Sequence, residues 1–249
     1  MSALLWRTFT ELAWRPTGWV MAGVFCLIGG VAWMVLITGY VELSAQTVES
    51  PWTASGLTLQ DHLLSPYFNF LALLLLFFGP ALSMRSFAGE ARGGTLELLL
   101  ASPLTAGELV VAKVGGMALF VLMLVLLSAW PVALLFTVSE VDPALVAGGL
   151  VGVFLIGCAI VSLGVVISAM TRHQAVAFVG TVAVAFGLYL LAGMGDFGVP
   201  DWIRALAPNM HVVGLQSGVL RLSDLVYFAV WFGVTAFAAA QRLEFRRRG

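Results

Sequence analysis

From Thr17 to Val41 the chain runs for 25 residues without a charged side chain. A bilayer core needs about 20 helical residues to be crossed. A secretory signal carries an apolar core of only about 7–15 residues, so this run reads as a membrane span and not as a cleaved leader. Five further apolar stretches follow, at 66–84, 109–138, 143–170, 175–194 and 223–240. The chain therefore reads as an all-α integral membrane protein with six transmembrane helices in one domain over 1–249. Composition agrees. Charged residues make up 10% of the chain, against about 25% in an ordinary soluble domain. The formal net charge of -1 gives no surface for nucleic acid.

The polar punctuation places the remaining elements. In residues 2–15, Arg7, Glu11 and Arg15 recur every four residues and line one helix face. Leu5, Trp6, Phe9, Leu12 and Ala13 take the other side. This is the pattern of an interfacial elbow helix, with Trp6 and Phe9 in the headgroup region and Arg7, Glu11 and Arg15 facing water. Pro16 ends it. A polar loop follows the first span, from Glu42 to Leu64, and Ser65-Pro66 reads as the cap and first turn of the second. Pro80 is expected to kink that span and Pro131 to bend the third. Thr105 and Glu108 have the spacing of a capping box, and Asp142-Pro143 opens the fourth span. The fourth span carries Gly148, Gly149, Gly152, Gly157 and Gly164 on more than one face, which suits the middle of a bundle. Residues 195–222 mix charges with apolar side chains and read as a short outer amphipathic segment.

Six spans put both termini on one side. All of the 12 Lys and Arg residues fall on that side except Arg204 and Arg221. The positive-inside rule then places the termini and the 85–108 loop in the cytoplasm, in a bacterial inner membrane. No ionisable group occupies a span centre, which disfavours an ion-driven carrier. Thr38, Asn69, Ser128, Ser162, Ser168, Thr181 and Thr235 read as helix–helix hydrogen-bonding groups. Cys26 and Cys158 lie in apolar runs and read as small buried hydrophobes, and His62, His173 and His211 are too scattered for a metal site. There is no phosphate-binding G-x-x-x-x-G-K-[ST] loop, so no ATP or magnesium site is expected in this chain. No nucleophile–base or metal pairing supports a membrane-embedded enzyme.

The stretch from Arg85 to Lys113, RSFAGEARGGTLELLLASPLTAGELVVAK, exceeds what a turn between spans requires. It reads as a short helix from Gly94 to Ala101, stopped by Ser102-Pro103. Leu96, Leu99 and Leu100 form an apolar knob beside Thr95, while Glu90, Arg92 and Glu97 supply orienting charge.

The pattern E-x-x-x-G-T-L-E-L-L-L-x-S-P-L-x-x-x-E-L-V-x-x-K, from Glu90 to Lys113, resembles the first cytoplasmic loop of ABC-2 type transporter permeases, most closely the gliding-motility-associated subgroup. The likeness extends over the whole chain. It implies a half-transporter paired with a second permease, identical or different, and with two ATP-binding subunits that hold ATP and magnesium. It implies that Glu90, Arg92, Thr95, Leu96, Glu97, Leu99 and Leu100 belong to a coupling helix and its flank, seated on the ATPase. ATP hydrolysis in those partners would drive export of an amphipathic, lipid-linked or polymeric substrate, or force on an envelope partner through 195–222. The alternative is a membrane scaffold or channel that works without ATP.

Overall fold

The protein is described by a computed structural model that covers residues 2–49, 58–94, 104–139, 141–194, 198–219 and 221–248. Among these residues it is all-helical, with six helical stretches long and apolar enough to cross a membrane.

Helix α1 (Ser2–Trp14) is followed at once by α2 (Pro16–Glu49). Pro16 both stops the first and starts the second, because its missing N–H is not needed in a first turn. Helix α2 continues past Val41 to Glu49, so the polar residues 42–49 extend the helix instead of opening a loop. The second span also begins earlier than Ser65. A π-helical turn, Gln60–Leu64, leads directly into α3 (Ser65–Ser83). The start of this stretch is capped by Thr58, whose hydroxyl accepts from the Asp61 amide at 3.2 Å. Ser65 is thus an interior residue and not a cap. Helix α3 runs through Pro80 and ends one turn later.

After α4 (Ala88–Gly93) the third span divides into α5 (Ala106–Ser128) and α6 (Trp130–Leu135). The break at Ala129 precedes Pro131, which cannot donate to a carbonyl in the preceding turn. The Tyr67 hydroxyl donates to the Ser128 carbonyl at 2.7 Å. Trp33 meets the same tyrosine edge-on at 4.9 Å. The break therefore becomes a joint between α2, α3 and α5.

Helix α7 (Pro143–Met170) starts on Asp142, which accepts from the Ala144 amide at 2.9 Å. It is the centre of the bundle. Of its most apolar stretch 61% is buried, against 56% for the second span, 44% for the third, 22% for α2, 17% for α8 (Gln174–Gly193) and 22% for α11 (Leu222–Arg248). Glycine makes this possible where the outer segment crosses: a Cβ on Gly148 would stand 2.1 Å from the Leu215 carbonyl oxygen.

The segment between the fifth and sixth spans, read from the sequence as the outer one, folds among its described residues as α9 (Asp201–Arg204), a 3-10 turn (Pro208–His211) and α10 (Val213–Gln216). Val212 and Leu215 face the bundle and are buried, whereas Trp202 and Val213 are exposed. Gln216 donates to Asn69 at 3.4 Å, and Gln60 donates to the Gln216 carbonyl at 3.1 Å. The segment is thereby tied to the head of α3. Most of the other polar groups in the spans do not bridge helices. Thr38, Ser128, Ser162, Thr181 and Thr235 donate to carbonyls in their own helices. A hydroxyl three or four residues from a carbonyl finds that partner without help from another helix.

Candidate functional site

The end of α3, the start of α5 and the end of α7 converge on residues 84–90, the root of the long loop. The chain leaves α3 at Ser83, turns, and enters α4 at Ala88. Three backbone groups in that turn are met by one side chain from α7. Ser168 Oγ accepts from the Phe87 and Ala88 amides at 3.2 and 3.0 Å and donates to the Met84 carbonyl at 3.3 Å. Phe87 and Ala88 are fully buried, so those amides depend on protein partners.

Lys113, about two turns into α5, closes the turn from the other side. Its ammonium pairs with Glu90 Oε2 at 2.6 Å, donates to the Ser86 carbonyl, and lies 4.3 Å from the centre of the Phe87 ring. The lysine is only 6% exposed. A buried ammonium is costly unless its hydrogens are satisfied, and the carboxylate, carbonyl and ring face supply three partners. The helix that carries it is fixed at its start. Thr105 Oγ1 accepts from the Glu108 amide at 3.2 Å, and the Glu108 carboxylate accepts from the Thr105 amide at 2.9 Å. This is the capping box expected from the sequence.

The elbow helix joins the same assembly. Leu5 and Thr8 of α1 sit on Gly115 and Gly116 of α5, where a Cβ on Gly116 would come within 2.6 Å of Thr8. Arg7 and Glu11 pair at 3.0 Å on the outer face, and both lie within electrostatic reach of Lys113. Phe9, Leu12 and Ala13 rest against the core. Trp6 turns outward with Arg7 and is 60% exposed, in ring contact with Phe9 at 5.5 Å. The sequence placed Trp6 with the apolar residues that face the membrane interface. It lies at the edge of that face, which suits an amphipathic ring at a headgroup boundary. Arg15 is exposed at the bend between α1 and α2.

Of the loop residues singled out from sequence, Glu90 and Arg92 are on α4. Glu90 faces inward to Lys113, and Arg92 is exposed. Thr95, Leu96, Glu97, Leu99 and Leu100 lie outside the described residues. Gly94 closes α4 with a φ of 70°, a left-handed conformation natural to glycine, and so redirects the chain into the loop. Sequence reasoning missed the joint role of Ser168, Phe87 and Lys113. The spacing of a capping box is local, but contacts across 81 residues have no periodic signature.

These features define a multi-pass membrane protein with no soluble domain among its described residues and a polar loop clamped to three span ends. It belongs to the ABC-2 family transporter proteins: the family's model matches residues 4–241. Members of that family are membrane components of transporters and generally work with ATP-binding subunits. Among curated proteins, none matches the chain.

Proposed function

We propose that this chain is the permease subunit of an ABC transporter and receives mechanical work through its 85–108 loop. The observation that carries the reading is the clamp of Lys113 and Ser168 on residues 84–90. A loop whose root is locked to α3, α5 and α7 passes a push from its tip to three spans at once. A merely solvated connector needs no such root.

In this reading Thr95, Leu96, Glu97, Leu99 and Leu100 form the surface seated on the ATPase, and Arg92 stands at its exposed edge. Glu90 acts one step behind it, holding the loop to Lys113. Two ATP-binding subunits hold ATP and magnesium, and a second permease, a copy or a different chain, completes the pathway. The arginine distribution supports cytoplasmic termini in a bacterial inner membrane. The apolar character of the spans favours an amphipathic, lipid-linked or polymeric substrate moved outward. The gliding-motility-associated subgroup is supported by the Glu90–Lys113 motif.

Transmission of force to an envelope partner is a second reading. It is favoured by the outer segment, which is bonded to α3 through Gln216 and crosses α7 at Gly148. Driving forces applied at the loop root would reach it through the same helices.

The test is co-expression with an ABC ATPase encoded beside this chain, followed by purification and measurement of ATP hydrolysis. Deletion of residues 94–101, or Glu97→Arg, is expected to release the ATPase or to remove the effect of the permease on its turnover. An ATPase that stays bound with unchanged turnover in both variants overturns the coupling role and leaves an ATP-independent scaffold or channel.

A further inference from the structure

A second charged constellation lies at the end of α11, on the side of the two termini. Asp224 is in the first turn of α11 and is fixed to the outer segment through His211. At 1.5 Å per helical residue, Arg242 stands about 27 Å and Arg246 about 33 Å farther along the axis. A hydrocarbon core is about 30 Å thick. The two guanidinium groups therefore straddle the opposite edge of the apolar layer.

This end of the helix is held in place and is not a loose tail. Ala239 and Leu243 are completely buried against the bundle. On the other face, Val230, Val234, Phe237 and Phe245 form an outward stripe, with Phe245 72% exposed. Arg172, exposed in the turn between α7 and α8, joins from a different element. Trp231 of α11 donates to the Ala159 carbonyl of α7 at 3.2 Å, and thirteen residues farther along the chain from each stand Glu244 and Arg172, so Arg172 lies at the level of Arg242 and Arg246. With Arg247, and against one acid on this helix end, Glu244, the cluster has an excess of positive charge.

We propose that Arg172, Arg242 and Arg246 bind the phosphate of an anionic phospholipid, with Phe245 lying against its acyl chains. A phosphodiester fits because guanidinium groups grip phosphate oxygens in pairs. Its negative charge relieves the repulsion among three arginines held together by the fold. An acidic protein surface would also satisfy the charge. The level of the cluster in the bilayer and the outward aromatic ring beside it favour the lipid. The inference does not depend on transport or on which leaflet faces the cytoplasm.

The experiment uses the full chain purified in a non-ionic detergent. Binding of phosphatidylglycerol and of phosphatidylcholine is compared by native mass spectrometry, with inorganic phosphate as competitor. The wild-type chain is expected to retain phosphatidylglycerol in preference to phosphatidylcholine and to keep it in millimolar phosphate. Each arginine near a charged headgroup is worth about fivefold. The combined variant R172Q/R242Q/R246Q should then bind phosphatidylglycerol about a hundredfold more weakly, with phosphatidylcholine unaffected. R172Q alone, on an exposed turn, should cost about fivefold and covers the case in which the combined variant does not fold. Equal retention of both lipids, or unchanged phosphatidylglycerol binding by the variants, overturns the proposal. Displacement by inorganic phosphate assigns the cluster to free phosphate and also overturns it. Intact lipid binding with loss of the ATPase assigns it to a protein partner.

Discussion

The two ring nitrogens of His211 join the Asp224 carboxylate to the Ala205 carbonyl. The Nδ1 atom of His211 lies 2.9 Å from an Asp224 carboxylate oxygen, and Nε2 lies 3.0 Å from the Ala205 carbonyl. Both neighbours can accept a hydrogen bond, and each ring nitrogen faces one of them. The ring is also stacked on Tyr227 at 3.9 Å, and the Tyr227 hydroxyl donates to the Leu206 carbonyl at 2.8 Å. One residue pair thus pins residues 205–211 to the head of α11.

The pair should tolerate loss of charge but not loss of a partner. In Asp224→Asn a neutral His211 can donate to Ala205 and accept from the new amide, leaving each group satisfied. In Asp224→Ala the ring stays largely buried and loses the partner of Nδ1, a cost of about 1–2 kcal/mol. Thermal unfolding of the purified chain in detergent should show Asp224→Asn near wild type and Asp224→Ala clearly lower. Equal melting of the two variants would show that the ring needs no partner at position 224.

The loop root should behave as one energetic unit. Lys113→Met removes the ammonium that pairs with Glu90 and bonds the Ser86 carbonyl. Glu90→Gln removes its charged partner. A double-mutant cycle is expected to give a coupling of about 1–3 kcal/mol, because the two groups touch inside one network. In a complex with the ATPase, Lys113→Met should leave the ATPase bound while lowering the stimulation of its turnover. Additive stabilities in the cycle would mean that the 2.6 Å contact contributes nothing.

The joint at Ala129 gives a smaller prediction. Tyr67→Phe keeps the ring against Trp33 and removes only the donor to the Ser128 carbonyl. Loss of one buried hydrogen bond is expected to cost about 1–2 kcal/mol. Unfolding of this variant should shift by that amount, and Tyr67→Leu should shift by more because the ring contact is lost as well. A Tyr67→Phe variant as stable as wild type would show that water or another group satisfies the carbonyl.

The spans were legible because six apolar runs can be satisfied in lipid only as helices. The capping box at Thr105 and the start at Asp142 were legible because each is a side chain acting within three residues of itself. The ends of helices that run into water were less so: Glu42 to Glu49 carry polar residues that look like loop, yet an exposed helical turn accepts them at little cost. The long-range contacts were not legible at all. Ser168 resembles any other hydroxyl in a span, and only the fold brings it to the Phe87 and Ala88 amides. Lys113 was visible as the end of a motif, but its burial beneath Phe87 depends on how α3 and α5 meet.

Gly164 packs α7 against Ser83, the last residue of α3, and gives the sharpest packing test. A Cβ at this position would stand 1.9 Å from Ser83 Oγ and 2.7 Å from Ser83 Cβ. Gly164→Ala therefore must push α3 away from α7 just before the turn that Ser168 holds. The helix gains slightly in propensity from alanine, so any net loss reports the clash. Overpacking of this kind typically costs about 1–3 kcal/mol. Replacing Ser83 by alanine removes the 1.9 Å clash with Oγ but leaves the 2.7 Å overlap with Cβ, so rescue by Ser83→Ala should be partial. Ser83→Gly removes both atoms and should restore most of the stability of Gly164→Ala. Thermal melting of the two single variants and the two doubles decides the matter: if Ser83→Gly rescues no better than Ser83→Ala, the two helices are not in contact at this position.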